Sequence, residues 1–319
     1  MQIPKLKLPS KEAVMRVYKK SPVSLGDLFV YVMLILLAFV FLYPFAHMIV
    51  TSFKSYSDII NATVKWIPKS PTLQNFKIAA MAMRLDQTVI NSLVVTVLAT
   101  IGHVFACSYI AYGFARYKFP LRGVFFALVV LSILMPVQVI IIPLYMTYSQ
   151  FNMIGTYLPL IIPCFFGFGL KGGLFVFLYR QYFLGIPKSL EEAASIDGCG
   201  PLKTFFRIAF PSAGSTTIVC IVLSMVWHWN DYFEPQLYLT QPESMLLPQI
   251  VDSLKALIAA MQNAIMQGNS EFSGMDATLY HNGTVMAGTV ISMLPPIIAY
   301  MFLQRKFMEG IERSGLTGM

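Results

Sequence analysis

A stretch of charged and small residues between two long apolar segments is the part of the sequence best suited to a specific task. Two adjacent carboxylates, Glu191 and Glu192, are followed directly by Ala193 and Ala194. Acidic residues in the first turn of a helix interact favourably with the positive end of its dipole. The pattern therefore predicts a short helix that begins near Ser189.

The residues after this helix permit a sharp change of direction. Gly198 and Gly200 allow a tight turn, and Pro201 suits the first position of a second short helix. Together the two predicted helices form a compact projection that could dock into a cleft of another protein. The alternative is a solvated helix whose carboxylates only maintain solubility.

Signals for catalysis, nucleotide binding and metal binding are missing from the sequence. It contains no G-x-x-x-x-G-K-[ST] phosphate loop, no H-E-x-x-H and no G-x-S-x-G. The four histidines are scattered at positions 47, 103, 228 and 281, and the four cysteines (Cys107, Cys164, Cys199 and Cys220) have no C-x-x-C spacing. We predict no catalytic residue, no metal site and no cofactor bound by this chain.

The composition is that of an integral membrane protein. Of the 319 residues 56% are hydrophobic and only 12% are charged, and the mean hydropathy is +0.66. About one residue in four is charged in a typical soluble domain. The net charge of +8 is therefore interpreted through the positions of the basic residues relative to the membrane, and we predict no nucleic-acid partner.

Long intervals without charged residues predict six membrane-spanning helices. The first interval, 28–53, has 26 residues, which reach about 39 Å as a helix and exceed a hydrocarbon core of about 30 Å. The interval 123–170 has 48 uncharged residues, enough for two crossings separated by the polar stretch 148–155. The predicted spans are 28–53, 87–115, 123–146, 157–179, 208–230 and 277–304.

The distribution of Lys and Arg predicts the orientation. With six spans both termini lie on one side, which carries 16 basic residues against 6 on the other, while Lys171 falls inside the fourth span. Cytoplasmic loops carry the excess of Lys and Arg. We therefore expect a cytoplasmic N-terminal segment 1–26, a transmembrane domain 27–304 and a cytoplasmic tail 305–319.

The residues around Glu192 resemble a family signature. The order Glu192-Ala193-Ala194-x-x-x-Gly198 and the later Ile208-x-Phe210-Pro211 are similar to the E-A-A-x-x-x-G and I-x-L-P motifs of permease subunits in binding-protein-dependent ABC importers. Phe210 replaces the usual Leu, which is an apolar exchange. The segment 229–235 and the Gly-rich end 304–319 resemble the carbohydrate-importing branch, typified by the maltose permeases.

The resemblance implies an all-α, type I importer permease fold and a set of partners. These are a second homologous permease, two ATPase subunits that bind ATP and Mg²⁺, an extracytoplasmic solute-binding protein and membrane lipid. It implies that a cytoplasmic coupling loop, 181–207 with its motif extending to 211, contacts the ATPase. The coupling residues carried over are Glu191, Glu192, Ala193, Ala194, Asp197, Gly198, Ile208 and Pro211. The tail, with Gly310, Gly315 and Gly318, is expected to reach the ATPase pair, and the outer loop 231–283 the binding protein.

A path for an oligosaccharide needs aromatic planes beside amides and hydroxyls. The residues of this kind are Gln138, Trp227, His228, Trp229, Asn230 and Asp231, to which the charged Lys171 is added. Tryptophans also mark the membrane interface, which is an alternative role for Trp227 and Trp229. A charge in the membrane either faces the bundle interior or extends to the interface, and both remain open for Lys171.

Two other interpretations remain at this point. An ABC permease for a non-sugar solute would share the coupling motif. A secondary transporter would use Lys171 and Asp231 as coupling charges, although no internal repeat is visible. The spacing of apolar residues in 248–267 also predicts an amphipathic helix outside the membrane, which either caps the bundle or grips a partner.

Overall fold

The structure is a computed structural model that describes residues 25–268 and 276–316. The described residues are almost entirely helical, and their only extended pairing is a single antiparallel bridge between Lys54 and Pro71. The all-α prediction is confirmed. The α-helices are α1 (Leu25–Ser52), α2 (Tyr56–Ile60), α3 (Gln74–Ala82), α4 (Leu85–Arg116), α5 (Arg122–Leu134), α6 (Val137–Gln150), α7 (Leu158–Ile161), α8 (Gly172–Gly185), α9 (Lys188–Ile196), α10 (Pro201–Thr204), α11 (Phe210–Ser212), α12 (Gly214–Asn230), α13 (Phe233–Tyr238), α14 (Leu247–Met266) and α15 (Asn282–Leu316).

Three of the predicted spans are single long helices. Within the described ranges, α1, α4 and α15 are long and apolar enough to cross a membrane, and two bent helix pairs raise the number of candidate crossings to five. One pair is α5 with α6, bent by 104°, at the position of the predicted third span. Pro136 explains this bend, because proline disfavours helical backbone at the preceding residue; Met135 is extended, with φ −75° and ψ 119°.

The predicted fourth and fifth spans are not continuous helices over their predicted lengths. In place of one helix over 157–179, the chain forms α7, a 3₁₀ helix (Ile162–Phe166) and then α8. Gly167, Gly169 and Lys171 between them all have positive φ, which ends regular helix. The fifth span, predicted over 208–230, is α12 preceded by a π-helix (Phe205–Ala209) and α11, with a bend of 77°.

The helix α4 is the centre of the bundle. It packs against α8, α12 and the 3₁₀ helix 162–166, and its close approach to the 3₁₀ helix depends on Gly102. A methyl group added there would lie 2.8 Å from a ring carbon of Phe165. The resulting core contains Tyr112, Phe175, Phe183 and Phe205, all buried.

A second core joins the outer segments to the bundle. The amphipathic helix predicted over 248–267 is α14, and its apolar face, with Ile250, Leu254 and Ile258, is buried against α15 and α3. The apolar face of α14 thus caps the bundle. In contrast, most of α1 between Leu28 and Phe45 is exposed apolar surface, as expected for a helix in lipid.

Some predictions concern the ends of the chain and part of the outer loop. Residues 1–24, 269–275 and 317–319, with Gly318, lie outside the described residues. The predicted tail begins at 305, but α15 continues without interruption to Leu316. The positions Gly310 and Gly315 are therefore part of the last helix.

Candidate functional site

The coupling loop has the predicted helix-turn-helix shape. The helix α9 begins at Lys188, after Pro187, within one residue of the predicted start. The backbone of Gly198 is left-handed, with φ 73°, and the amide of Cys199 donates to the carbonyl of Ala194 at 2.9 Å. Pro201 then opens α10, so the chain reverses within a few residues.

The two adjacent glutamates face different surroundings. Glu191 forms an ion pair with Arg116 at the end of α4, with 2.8 Å between Oε1 and Nε, and both side chains are largely buried. A terminal nitrogen of Arg116 also donates to the carbonyl of Ile186 at 2.7 Å. Glu192 is exposed. Glu191 thus holds α9 against the bundle, and Glu192 is available to a partner.

The outer surface of the coupling loop is unusually apolar. Ile196 is 87% exposed, and Leu190, Leu202 and Phe206 are also exposed. Of the other predicted coupling residues, Ala193, Asp197, Gly198 and Pro211 are exposed, Ile208 is half-buried and Ala194 is buried. A projection with apolar side chains at its tip has the composition of a protein-binding surface.

A cavity of about 910 Å³ lies between α4, α5, α6, α8 and the end of α12. Four of the predicted pathway residues, Gln138, Lys171, His228 and Asp231, line it together. Lys171 lies at the break before α8, with φ 62°, and not within a continuous span. Its side chain is exposed and lines the cavity, and the choice between its two predicted roles stays a prediction.

The cavity contains a pair of carboxyl groups. Glu234 lines the cavity beside Asp231, whose Oδ1 accepts a hydrogen bond from the amide of Phe233 at 3.1 Å. Burial raises the pKa of Asp231 to about 6. Burial, with a smaller contribution from Asp231, raises the pKa of Glu234 to about 7. Near neutral pH the pair therefore carries less than its full negative charge.

The other three predicted pathway residues do not line this cavity. Trp229 is buried in the second core, and its indole N–H donates to the carbonyl of Ser292 at 3.1 Å. Trp227 packs on Phe175, with 5.7 Å between ring centroids. Asn230 is exposed, and its amide donates to the carbonyl of Val226 at 2.7 Å. The two tryptophans join α12 to its neighbours, whereas the hydrogen bond of Asn230 lies within α12.

Some polar residues of the cavity were not predicted as pathway residues from the sequence. They include Ser132, Tyr148 and Glu234. Glu234 could have been predicted from the sequence. It follows Asp231 by three residues, which is the spacing of neighbours on one helical face. Tyr148 was interpreted as part of a polar connection between two spans.

Comparison with known proteins identifies the family. Residues 104–313 match the family described as the binding-protein-dependent transport system inner membrane component. Since the match covers more than half of the chain, the chain belongs to this family of inner-membrane permease components. It is a multi-pass protein of the bacterial cytoplasmic membrane. The composition predicted an integral membrane protein, and the family resemblance implied this membrane.

Similar sequences extend over most of the chain. A probable starch degradation products transport system permease protein, AmyC of Thermoanaerobacterium thermosulfurigenes, is 31% identical over 277 residues, covering 87% of this chain and 92% of that protein. The sn-glycerol-3-phosphate permease UgpE of Pectobacterium atrosepticum is 28% identical, covering 89% and 95%. The arabinooligosaccharides permease AraQ of Halalkalibacterium halodurans is 27% identical, covering 88% and 93%.

A solved structure shares the fold. A chain of a bacterial ABC transporter involved in the import of the acidic polysaccharide alginate superposes with a TM-score of 0.69, covering 95% of this chain and 100% of that chain, at 21% identity. The predicted permease fold is confirmed by this likeness and by the family match.

Proposed function

We propose that this chain is one of two permease subunits in an ATP-driven importer of a neutral carbohydrate. ATP and Mg²⁺ bind to two separate ATPase subunits, and an extracytoplasmic solute-binding protein delivers the substrate. The chain alternates between states that open the path to either side. The observation that carries the coupling role is the coupling loop, whose exposed tip combines Glu192 with the apolar Ile196.

The chemistry of the coupling loop supports an ATPase partner. Burial of exposed apolar side chains supplies most of the affinity of a protein interface, and a carboxylate at its rim adds orientation. The ion pair of Glu191 with Arg116 connects α9 to α4, the central helix. A movement of α9 caused by the ATPase therefore reaches the cavity through α4, which also contributes Ile110 and Phe114 to the cavity wall.

The polar groups of the cavity support a neutral carbohydrate. Gln138 and Tyr148 offer an amide and a phenol, suited to hydroxyl groups. The two carboxyl groups of Asp231 and Glu234 would repel a phosphate or uronate, and among the described residues that line the cavity Lys171 is the only Lys or Arg to offset them. Among the solutes named for the relatives, starch degradation products or arabinooligosaccharides fit this cavity better than sn-glycerol-3-phosphate.

A co-purification experiment tests the coupling role. Ile196→Asp places a charge at the most exposed apolar position of the coupling loop, and Ile67→Asp is the matched control at an isoleucine that is 84% exposed. The complex is purified from detergent through a tag on this chain. We expect a second permease and a P-loop ATPase to co-purify with wild type and with Ile67→Asp, and the ATPase to be lost with Ile196→Asp.

Equal recovery of the ATPase with both variants would overturn the coupling assignment. Transport by this chain alone in vesicles without ATP would overturn the importer proposal and favour a secondary transporter. For the substrate, ATPase stimulation is compared between maltotriose, arabinotriose and sn-glycerol-3-phosphate in the presence of the binding protein. Stimulation by sn-glycerol-3-phosphate alone would contradict a neutral carbohydrate.

A further inference from the structure

Three potential metal ligands meet beside the cavity although they are far apart in sequence. His103 lies on α4, Cys164 on the 3₁₀ helix 162–166 and His228 on α12. One ligand atom from each side chain lies within 4.8 Å of the others. The relative exposures are 0%, 0% and 7%. The cluster is thus buried, and its three residues lie on three separate helices.

Two of the three distances between these atoms are close to the edges of a tetrahedral zinc site, and the third is no more than 4.8 Å. Zinc binds imidazole nitrogen at about 2.0–2.1 Å and thiolate sulfur at about 2.3 Å, which places two nitrogens about 3.4 Å apart and nitrogen and sulfur about 3.6 Å apart. The distance between His228 Nε2 and His103 Nδ1 is 3.4 Å. The distance between Cys164 Sγ and His228 Nε2 is 3.9 Å. A shift of a few tenths of an ångström would complete both edges.

The hydrogen bonds of His103 orient its ring for ligation. Its Nε2 lies 3.2 Å from the carbonyl oxygen of Phe168. Because a carbonyl only accepts, Nε2 carries the hydrogen, and the lone pair of Nδ1 points into the cluster. Ligating histidines in metal sites are held in the same way by a carbonyl or carboxylate on the other ring nitrogen.

The cluster also has a polar fourth side and a route for an ion. Ser224 Oγ lies 3.3 Å from His103 Nδ1 and accepts a hydrogen bond from Thr100 Oγ1 at 3.1 Å. His228 lines the cavity together with Asp231 and Glu234. These carboxyl groups would attract a cation and partly offset its buried charge.

We propose that His103, Cys164 and His228 bind one Zn²⁺ ion, with a water molecule as the fourth ligand. The Cys164 thiol loses its proton to water as the Zn–S bond forms, so the ion and thiolate together carry one positive charge. The bound ion joins α4, the 3₁₀ helix 162–166 and α12. It therefore stabilises the described conformation and slows any transport cycle that moves these elements. Ion binding itself does not depend on the solute transported.

Cobalt substitution tests the site without mutation of a ligand. The purified chain, in a Cys199→Ser background that removes the partly exposed cysteine, is treated with a chelator and titrated with Co²⁺. We expect one equivalent to produce the visible spectrum of tetrahedral cobalt and the near-ultraviolet charge-transfer band of a cobalt–thiolate bond, both removed by Zn²⁺. A spectrum of octahedral cobalt without the thiolate band would overturn the proposal.

Variants of the proposed ligands, with matched controls, test whether Cys164 and His228 bind the metal ion. Cys164→Ser should abolish the thiolate band, and His228→Gln should weaken Zn²⁺ binding by at least about 10-fold. Two control variants change residues of the same types outside the cluster. Cys220→Ser removes a buried cysteine on α12, and His47→Gln removes a histidine on α1. Both variants should retain the cobalt–thiolate band and the affinity for Zn²⁺. Persistence of the band in Cys164→Ser, or its loss in Cys220→Ser, would contradict the assignment.

Discussion

At the scale of single residues, the two adjacent glutamates of the coupling loop lead to opposite predictions. Glu191→Ala leaves Arg116 buried without its ion pair, which should cost about 3 kcal/mol of stability. Glu192→Ala, at an exposed position, should change stability by less than about 0.5 kcal/mol and reduce ATPase stimulation by substrate. Thermal unfolding of the purified chain and ATPase activity of the complex measure the two effects. Equal losses of stability in both variants would contradict the different roles.

The raised pKa of Glu234 predicts that stability depends on pH. Its pKa is raised to about 7 in the folded chain, mainly by burial, and it is about 4.3 in an unfolded chain. The folded state therefore holds the proton more tightly, and stability is highest below the unfolded value and falls as pH rises through about 7. Asp231, Lys171, His228 and Tyr148 face the same cavity, and Asp231 adds a similar dependence at lower pH.

Unfolding temperatures at pH 5.5 and pH 8 test this dependence. Wild type should unfold at a lower temperature at pH 8, and Glu234→Gln should reduce that difference. Glu243→Gln is the control, because Glu243 lies in the same outer segment and its side chain is 67% exposed. A pH dependence that is unchanged in Glu234→Gln would refute the explanation.

Residue patterns predicted the coupling loop better than the cavity. The start of α9, the turn at Gly198 and the opening of α10 depend on local preferences, which the sequence displays directly. The cavity combines residues from six or more elements, and its membership depends on how the helices pack. Gln138, Lys171, His228 and Asp231 were identified, while His103 and Cys164, the neighbours of His228, were not. The positions of His103 and His228 differ by 125 residues, so no spacing rule could join them.

At the scale of elements, the packing of α14 on α15 allows a double-mutant test. Leu254 is fully buried, and a methyl group added at Gly288 would lie 2.3 Å from its Cδ2 atom. Leu254→Ala should cost about 3 kcal/mol through the cavity it leaves. Gly288→Ala alone should destabilise by about 1–3 kcal/mol through overpacking.

The double variant should cost clearly less than the sum of the two single changes, because the new methyl group enters the space that Leu254 leaves. Unfolding free energies in detergent measure all three. Leu257→Ala, at a position on α14 that is 36% exposed, is the control and should have a small effect. Strict additivity of the two core variants would show that α14 does not pack on α15 in this way.

The elements that were predicted least accurately are the third, fourth and fifth spans. Composition identifies apolar stretches of sufficient length, but it does not report where the backbone breaks. Pro136 and the glycines at 167 and 169 were visible as possible interruptions, yet such residues also occur in continuous membrane helices. Here the breaks are accommodated because they line the cavity, where water can satisfy the backbone groups that leave the helix.

At the scale of the whole molecule, the positions of charge and apolar surface define its orientation in the membrane. Most of α1 is exposed apolar surface, as a helix in lipid requires, and the excess of Lys and Arg predicts that the coupling loop is cytoplasmic. The structure increases the difference in exposed basic charge between the two sides of the membrane. Lys54, counted on the opposite side, is buried, and its ammonium group donates to the carbonyls of Val64 and Lys65 at 2.9 and 2.8 Å. Its charge therefore adds little to the outer surface.

Cysteine labelling tests this orientation directly. In the Cys199→Ser background the remaining three native cysteines are buried, so single new cysteines at exposed positions report the side. Ile67→Cys should react with a membrane-impermeant maleimide in intact spheroplasts. Leu202→Cys, in the coupling loop, should react only after the membrane is disrupted. Both side chains are exposed. A difference in labelling therefore shows that the two positions lie on different sides of the membrane, and it does not arise from burial in the protein. If Leu202→Cys reacted in intact spheroplasts and Ile67→Cys did not, the orientation would be the opposite of the predicted one. The coupling loop could then not contact a cytoplasmic ATPase.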